Sequence, residues 1–192
     1  RSTAMTQQDP RTGDAQHAPT PDPDAPLHGI RVLDLSTVLF GPLASRWLSD
    51  YGADVIKVES PAGDSTRTTG VQREPGLAGG FMGTNRGKRS IVLDLKHADG
   101  RAALRKLLED ADVLMHNIRP QKLAAIGLDL SELRIRYPRL VVACLNGFSE
   151  QGPYGGRPAY DDIVQGMCGL ADLMHRQTGE VQYLPTVAAD KV

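Results

Sequence analysis

Short apolar runs alternate with segments of helical periodicity along most of this chain, from Gly29 onward. Strands that alternate with helices are joined by right-handed crossovers, and such crossovers make the strands parallel. The apolar runs predict strands at residues 30–35, 55–58, 90–93, 113–115 and 140–143. The sequence therefore predicts an α/β protein with a doubly wound, mostly parallel, Rossmann-like sheet.

The segments between these strands carry helical patterns of different strength. Leu43, Trp47 and Tyr51 recur at four-residue spacing, which predicts a helix with a buried stripe after the first strand. Other apolar patterns predict helices at 103–111, 122–126, 130–136 and 163–170. The segment after the second strand is rich in Gly and Thr and is predicted to be a loop.

Composition narrows the classes of protein to which the chain can belong. Its net charge is −1, from 22 basic and 23 acidic residues, which argues against a dedicated nucleic-acid-binding protein. No apolar run approaches the roughly 20 residues of a membrane helix. The two cysteines form no metal-ligand pair. We therefore predict a cytoplasmic protein with no metal site and with neither a membrane nor a nucleic acid as partner.

The first 26 residues differ from the rest of the chain. They contain five prolines among polar residues and show no apolar periodicity, so residues 1–26 are predicted to be a disordered lead-in. Arg1 is not a natural first residue, whereas Met5 could be one, which makes residues 1–4 a candidate vector remnant. Residues 27–192 are then the folded domain.

In a doubly wound sheet, ligands bind beyond the carboxyl ends of the strands. The first such loop, residues 36–42, has one glycine and cannot form the fingerprint of a nicotinamide-binding domain, although Glu59 could imitate the ribose-binding acid of that fold. Cations cluster near the strand ends instead, which favours a polyanionic ligand. These cations are Lys57, Arg67, Arg86, Lys88, Arg89, Arg119 and Lys122.

Several motifs in the right order resemble those of class III CoA transferases. They are residues 52–61 with Gly63, Asp64 and Arg67, residues 85–91 with 94–96, residues 112–114 with 117–120, and residues 152–154 and 158–161 with Gln165. The resemblance extends from residue 26 to residue 192. It implies an enzyme that moves CoA from an acyl-CoA to a carboxylic acid, with CoA thioesters as substrates and no tightly bound cofactor.

The resemblance also assigns site residues. Residues 185–191 match the segment of the family's catalytic aspartate, so Asp190 takes the role of the nucleophile, which forms an aspartyl mixed anhydride and then an aspartyl-CoA thioester. Asp161 matches an acidic residue near the nucleophile, and a helix N-cap is the alternative role for this side chain. The implied contacts to CoA are Lys57, Lys88, Arg89, Asn117 and Arg119.

Three functions remain open from the sequence: CoA transfer, racemisation of a 2-methylacyl-CoA, and CoA binding without catalysis. Racemases of the superfamily carry a histidine where this chain has Tyr160, a poor base at neutral pH, so transfer is favoured. Leu39 stands where formyl-CoA transferases carry a glutamine, which argues against formate or oxalate as substrate. Family members form interlocked homodimers and are much longer, so the chain is expected to be truncated after the catalytic segment.

Overall fold

The computed structural model describes residues 22–191, and five strands form one sheet within them. The strands are β1 (Arg31–Asp34), β2 (Asp54–Glu59), β3 (Arg89–Val92), β4 (Val113–His116) and β5 (Val141–Cys144). Every pairing is parallel, and the strand order is β3-β2-β1-β4-β5. The predicted α/β class with a parallel, Rossmann-like sheet is confirmed.

The central strands of the sheet are buried on both faces. Val32 and Leu33 of β1 and Leu114 of β4 are completely inaccessible to solvent. Parallel strands that are covered by helices on both sides favour such unbroken apolar runs. The edge strands are more exposed, since Val92 of β3 and Val141 of β5 each keep 59% of their surface accessible.

Seven α-helices lie in the described residues. They are α1 (Phe40–Asp50), α2 (Gly79–Asn85), α3 (Ala98–Glu109), α4 (Pro120–Ala125), α5 (Leu130–Arg136), α6 (Asp161–Met167) and α7 (Leu170–Thr178). The sequence predicted a loop where the structure has α2, because glycines lower the helix propensity of this segment. The helix is stabilised instead by a tertiary contact, in which the buried Phe81 packs under the Arg67 guanidinium. No helix within residues 22–191 is long and apolar enough to cross a membrane.

Helices cover both faces of the sheet, as a doubly wound fold requires. On one face, Leu104 of α3, Leu123 of α4 and Leu133 of α5 join the larger hydrophobic core. On the other face, Ala44 and Leu48 of α1 pack against a smaller core. Each fully buried leucine contributes about 1.5–3 kcal/mol to folding, so α3 to α5 anchor their side of the sheet firmly.

The buried face of α1 differs from the predicted one. Trp47 and Tyr51 are half-exposed, so the predicted buried stripe of Leu43, Trp47 and Tyr51 is wrong. Small residues face the sheet instead, among them Gly41 and Ser45. The helix lies close to the carboxyl edge of the sheet because these positions carry almost no side-chain bulk.

The predicted lead-in of residues 1–26 lies outside the described residues as far as residue 21. Within the described part of this segment, residues 23–26 form turns and a bend. The amide of Ala25 donates to the carbonyl of Asp22, and the amide of Leu27 donates to the carbonyl of Tyr51 at the end of α1. These bonds tie the start of the described chain to α1.

Candidate active site

The sheet has a topological switch point between β1 and β4, because the chain passes from β1 to β2 and β3 on one side and then to β4 and β5 on the other. A cleft of about 580 Å³ lies over the carboxyl ends of β1 to β4. The side chains of Lys96, Arg119 and Lys122 line it, and all three residues are exposed. The cleft can therefore offer positive charge to an anionic ligand.

A second pocket, of about 460 Å³, adjoins this cleft and shares Thr37, Asn117 and Arg119 with it. The loop after β1 forms one wall, and Asp190 lies in the pocket together with Ala189. The predicted nucleophile and the cationic cleft are thus neighbours. Within the described residues, no group of His, Cys, Asp or Glu side chains is placed to hold a metal ion.

Asp190 lies half-buried in a turn between two surfaces of different polarity. On one side is the polar pocket, and on the other is an apolar hollow of about 300 Å³ lined by Phe40, Leu43 and Trp47. Burial raises the pKa of the Asp190 carboxyl above its ordinary value, and the nearby charge of Asp161 raises it further. A desolvated, more basic carboxylate is suited to nucleophilic attack.

Asp161, the first residue of α6, holds the segment that carries Asp190. Its Oδ1 accepts hydrogen bonds from the amides of Ala189 at 2.7 Å and Asp190 at 3.2 Å. The N-cap of α6 is Tyr160, and among the described residues the Asp161 carboxylate accepts no bond from the first amides of that helix. The alternative role of Asp161 as an N-cap is therefore wrong.

Gln165 is a buried residue of α6 to which sequence matching assigned no role. Its Oε1 accepts from the amide of Leu184 at 2.8 Å, and its Nε2 donates to the carbonyl of Thr186 at 3.1 Å and to Asp161 Oδ2 at 2.5 Å. Residues 184–190 form no strand, so these side-chain bonds determine their path. The available signal was the spacing of four residues between Asp161 and Gln165, but the helix predicted at 163–170 began two residues too late to place both on it.

Lys57, a predicted CoA contact, is enclosed by protein. Its side chain is 1% exposed, and its Nζ donates to Asp64 Oδ2 at 3.0 Å and to the carbonyl of Ser36 at 2.9 Å. The carboxylate of Asp64 in turn accepts bonds from the amide and hydroxyl of Thr66. Lys57 thereby joins the loop after β1 to the loop after β2.

Lys88, the other lysine among the predicted contacts, is equally enclosed. Its Nζ donates to Asp34 Oδ2 at 2.9 Å, to the carbonyl of Pro42 at 2.8 Å and to Asn85 Oδ1 at 2.9 Å. An ammonium group has three donors, so the protein satisfies all of them. Burial lowers the pKa of Lys88 to about 8, although the adjacent Asp34 carboxylate opposes that shift.

Asn117 and Arg119 follow β4 and do reach the two pockets. The Nδ2 of Asn117 donates to the carbonyl of Thr37 at 2.8 Å, and its Oδ1 accepts from the amide of Thr37 at 3.1 Å. Arg119 lies exposed where the cleft and the pocket meet. Of the five predicted contacts to CoA, these two are the ones that line the cleft.

Arg89 lies at the opposite edge of the sheet. It is the first residue of β3, whereas the cleft lies beyond the carboxyl end of that strand. Its guanidinium donates two hydrogen bonds, of 2.9 and 2.6 Å, to the carboxylate of Asp54 at the start of β2. The resemblance of residues 85–91 to the family motif grouped Arg89 with its neighbour Lys88, but the direction of β3 leaves Arg89 at the amino end of the strand, away from the cleft.

Glu59 anchors the loop that follows β2. Its carboxylate accepts a forked pair of bonds from Arg67 at 2.7 and 2.6 Å, one from the hydroxyl of Ser90 and one from the amide of Asp64. Burial alone would raise the pKa of Glu59, but these bonds lower it to about 2 from 4.5. A carboxyl whose pKa is lower in the folded state stabilises the fold above its unfolded pKa.

We therefore expect Glu59→Gln to reduce the free energy of unfolding by about 3 kcal/mol at neutral pH. The difference from the unaltered protein should shrink as the pH falls from about 4.5 to 2, because Glu59 becomes protonated in both states. Urea unfolding across this range measures the effect, with the exposed Glu74→Gln as a control that should change little. A difference that does not vary with pH would contradict the account.

Comparison with known proteins places the chain among CoA transferases. Residues 27–192 match the model of CoA-transferase family III. Succinate–glutarate CoA-transferase of Agrobacterium fabrum is 44% identical over 177 residues, which cover 88% of this chain and 44% of that protein. A probable fatty acyl-CoA transferase of Mycobacterium tuberculosis is 38% identical over 174 residues, covering 90% of this chain and 44% of that protein.

A solved structure shows the same fold. A CaiB/BaiF family protein from Brucella suis superposes with a TM-score of 0.80 at 42% identity, over 86% of this chain and 45% of that chain. The chain thus spans less than half the length of these relatives. The family model nevertheless matches from residue 27 onward, which includes both pockets and the Asp190 segment. The resemblance found in the sequence motifs is confirmed: the chain belongs to CoA-transferase family III.

Proposed function

We propose that residues 27–192 form the CoA-binding domain of an enzyme that transfers CoA from an acyl-CoA to a carboxylic acid, with Asp190 as the nucleophile. The observation that carries this proposal is the position of the half-buried Asp190 in a pocket that adjoins a cationic cleft at the switch point of the sheet. Family membership supports the reaction class.

The reaction proceeds through two covalent intermediates on Asp190. The carboxylate attacks the thioester carbonyl, the C–S bond breaks, and CoA leaves as a thiolate with the electron pair, which gives a mixed anhydride. The thiolate then attacks the aspartyl carbonyl and releases the donor acid, leaving an aspartyl-CoA thioester. An acceptor carboxylate reverses both steps and departs as the new acyl-CoA. One thioester replaces another, so neither ATP nor a tightly bound cofactor is required.

The cleft over β1 to β4 is the proposed site for the phosphates of CoA. Lys96, Arg119 and Lys122 supply exposed positive charge there, and a guanidinium can bind a phosphate with two parallel hydrogen bonds. The thiol arm then runs past Thr37 and Asn117, which border both pockets, toward Asp190. Two of these cations, Lys96 and Lys122, take the place of the predicted Lys57, Lys88 and Arg89.

Lys57 and Lys88 have a supporting role in this proposal. Their ammonium groups are enclosed and bonded to the loops after β1 and β2 and to the start of α1. Arg89 is assigned to the ion pair with Asp54 at the far edge of the sheet. These three residues therefore shape the site without contact to CoA.

Succinate and glutarate are the first acids to test, because the Agrobacterium relative is named for them. Full-length protein incubated with succinyl-CoA and glutarate, without ATP, should form glutaryl-CoA, detected by chromatography. A fatty acid in place of glutarate tests the substrate class named for the mycobacterial relative. Deuterium exchange at the α-carbon of a 2-methylacyl-CoA without CoA transfer would instead indicate a racemase. CoA binding with neither reaction would leave a binding module.

A homodimer is the proposed assembly. The apolar side chains of Trp47 on α1, Met167 on α6 and Leu173 on α7 are all more than half exposed, and α7 has no buried residue within the described chain. Contiguous exposed apolar surface marks interaction sites, and the proposed dimer would cover these side chains. Sedimentation of the full-length protein should show a dimer, and a monomer at all concentrations would contradict this assembly.

The Asp161→Asn variant tests how Asp161 acts on Asp190. Asparagine keeps an acceptor for the amides of Ala189 and Asp190 but removes the charge that raises the pKa of the nucleophile. The pKa of Asp190 should therefore fall, so that the ionised nucleophile persists to lower pH. We expect the acid limb of the kcat/KM profile to move to lower pH, whereas Asp162→Asn leaves it in place. An unmoved limb in Asp161→Asn would exclude this role.

A further inference from the structure

Val38 has a strained backbone. Its φ is +74°, and it is the one residue other than glycine with positive φ among residues 22–191. A β-branched side chain rarely adopts this left-handed conformation, because Cβ crowds the following carbonyl. The side chain of Val38 is 44% exposed, so burial of its methyl groups does not explain the strain. Strain of this kind persists only where the surrounding structure imposes it.

Side chains from the loops after β2 and β4, the two strands beside β1, impose the left-handed conformation of Val38. Asn117, just after β4, bonds both the carbonyl and the amide of Thr37. Asp64, in the loop after β2, accepts a hydrogen bond from the amide of Val38 at 3.3 Å. Its carboxylate is held in turn by a hydrogen bond from the buried Lys57. The peptide group between Thr37 and Val38 is therefore held by both neighbouring loops, at its carbonyl by Asn117 and at its amide by Asp64.

The residue before this turn is fixed as well. Ser36 donates its amide and hydroxyl to the buried Asp34, and its carbonyl accepts from Lys57. On the other side of the turn, α1 approaches so closely that a Cβ atom at Gly41 would collide with the Ser36 side chain. The segment from Ser36 to the start of α1 thus has little freedom to relieve the strain at Val38.

The strained turn stands at the functional centre of the fold. Thr37 borders both the cationic cleft and the pocket of Asp190, and Val38 and Leu39 line that pocket. Asn117 and Thr37 also belong to the two loops that diverge at the switch point between β1 and β4. A strained, over-determined turn at such a place is typical of a pre-organised site.

We propose that Asn117 and Asp64 are positioning residues that lock Val38 in the left-handed conformation, and that the locked turn fixes the wall against which the acyl-CoA thioester lies beside Asp190. The catalytic consequence of this inference rests on the proposed function. The stabilisation of the Val38 conformation by Asn117 and Asp64, which we call the lock, does not depend on that function. Sequence resemblance implies that Asn117 contacts CoA, whereas both polar atoms of its amide bond Thr37.

The first part of the test concerns the strain alone. Val38→Gly removes the left-handed penalty and should raise the melting temperature by about 2–4 °C. Val71→Gly is the matched control, since Val71 is an exposed loop valine with ordinary φ, and glycine there should leave the melting temperature unchanged or lower it. A melting temperature that falls equally in both variants would show that Val38 carries no strain.

Amide exchange tests the lock without reference to catalysis. In Asn117→Ala the amide of Val38 should exchange at least about tenfold faster, although its own acceptor, Asp64, is unaltered. Unchanged exchange at Val38 would mean that Asn117 does not hold the turn. This measurement needs no substrate, so it decides on the lock even if the full-length protein proves to transfer no CoA.

Steady-state kinetics then separates positioning from CoA contact. Asn117→Ala should lower kcat roughly tenfold with little change in the KM for acyl-CoA, because the turn rather than the ligand loses its support. The Val38→Gly/Asn117→Ala double variant should recover part of that loss, since glycine keeps the left-handed turn without help. A raised KM at constant kcat, or strictly additive effects, would overturn the proposal and make Asn117 a CoA contact.

Discussion

Asp190→Asn is expected to lower kcat for CoA transfer by at least about 10³-fold while the protein keeps its fold and its affinity for CoA. The amide has the size of the carboxyl but lacks a nucleophilic oxygen, so neither the anhydride nor the thioester can form. Binding should survive because Lys96 and Lys122 lie in the adjoining cleft and Arg119 lies where the cleft meets the pocket, and the substitution leaves all three in place. Transfer assays and equilibrium binding of CoA measure the two effects.

The fold of the Asp190→Asn variant should be intact, since replacement of a half-buried carboxyl with a raised pKa removes a group whose charge burial disfavours. Asp190→Ala repeats the test with a side chain that cannot revert to aspartate by deamidation. Asp162→Asn, on the exposed side of α6, serves as the matched control and should keep full turnover. Substantial activity in both Asp190 variants would exclude this residue as the nucleophile.

Asp34→Ala should cost about 3–5 kcal/mol of unfolding free energy, the largest stability effect that we expect. Asp34 is fully buried and accepts bonds from Lys88, Ser45 and Ser36. Removal of the carboxylate leaves a buried ammonium without its counter-charge and the Ser45 hydroxyl without its acceptor, and uncompensated buried charges are strongly destabilising. Chemical denaturation of the variant and the unaltered protein measures the loss.

Two further variants make this stability prediction specific. Lys88→Met in the Asp34→Ala background removes the uncompensated charge and should recover part of the loss. Arg89→Ala breaks an exposed ion pair on the same sheet and should cost less than about 1 kcal/mol. A cost for Asp34→Ala no larger than that for Arg89→Ala would contradict the view that the buried pair supports the loops around the site.

The strands were predictable because their signal is local. Each predicted strand ends within one residue of the observed one, since unbroken runs of Val, Ile and Leu are what a doubly covered parallel sheet demands. The buried faces of the helices were harder to predict. The four-residue spacing of Leu43, Trp47 and Tyr51 indicated a helix correctly but not its buried side, which small residues decide through a close approach to the sheet. Such an approach depends on tertiary contacts that no local pattern carries.

In the candidate site, too, some features were predictable from local sequence and others depended on tertiary contacts. Motif order identified the family and brought Asp190, Asp161, Asn117 and Arg119 to one region. Charge alone could not distinguish an exposed lysine such as Lys96 from an enclosed one such as Lys88, because enclosure depends on acceptors from distant parts of the chain. Strand polarity, which sets Arg89 at the far edge, could in principle have been used from the sequence. The strain at Val38 could not be predicted from the sequence, since valine is not a residue that indicates a left-handed backbone.

The central claim is that Asp190 carries the CoA group during turnover. Full-length protein mixed with an acyl-CoA, quenched and digested should yield a peptide of the Asp190 segment bearing covalent CoA, detected by mass spectrometry. The same peptide from Asp190→Ala should carry none. CoA transfer without an adduct at Asp190, or with an adduct on another residue, would contradict the account.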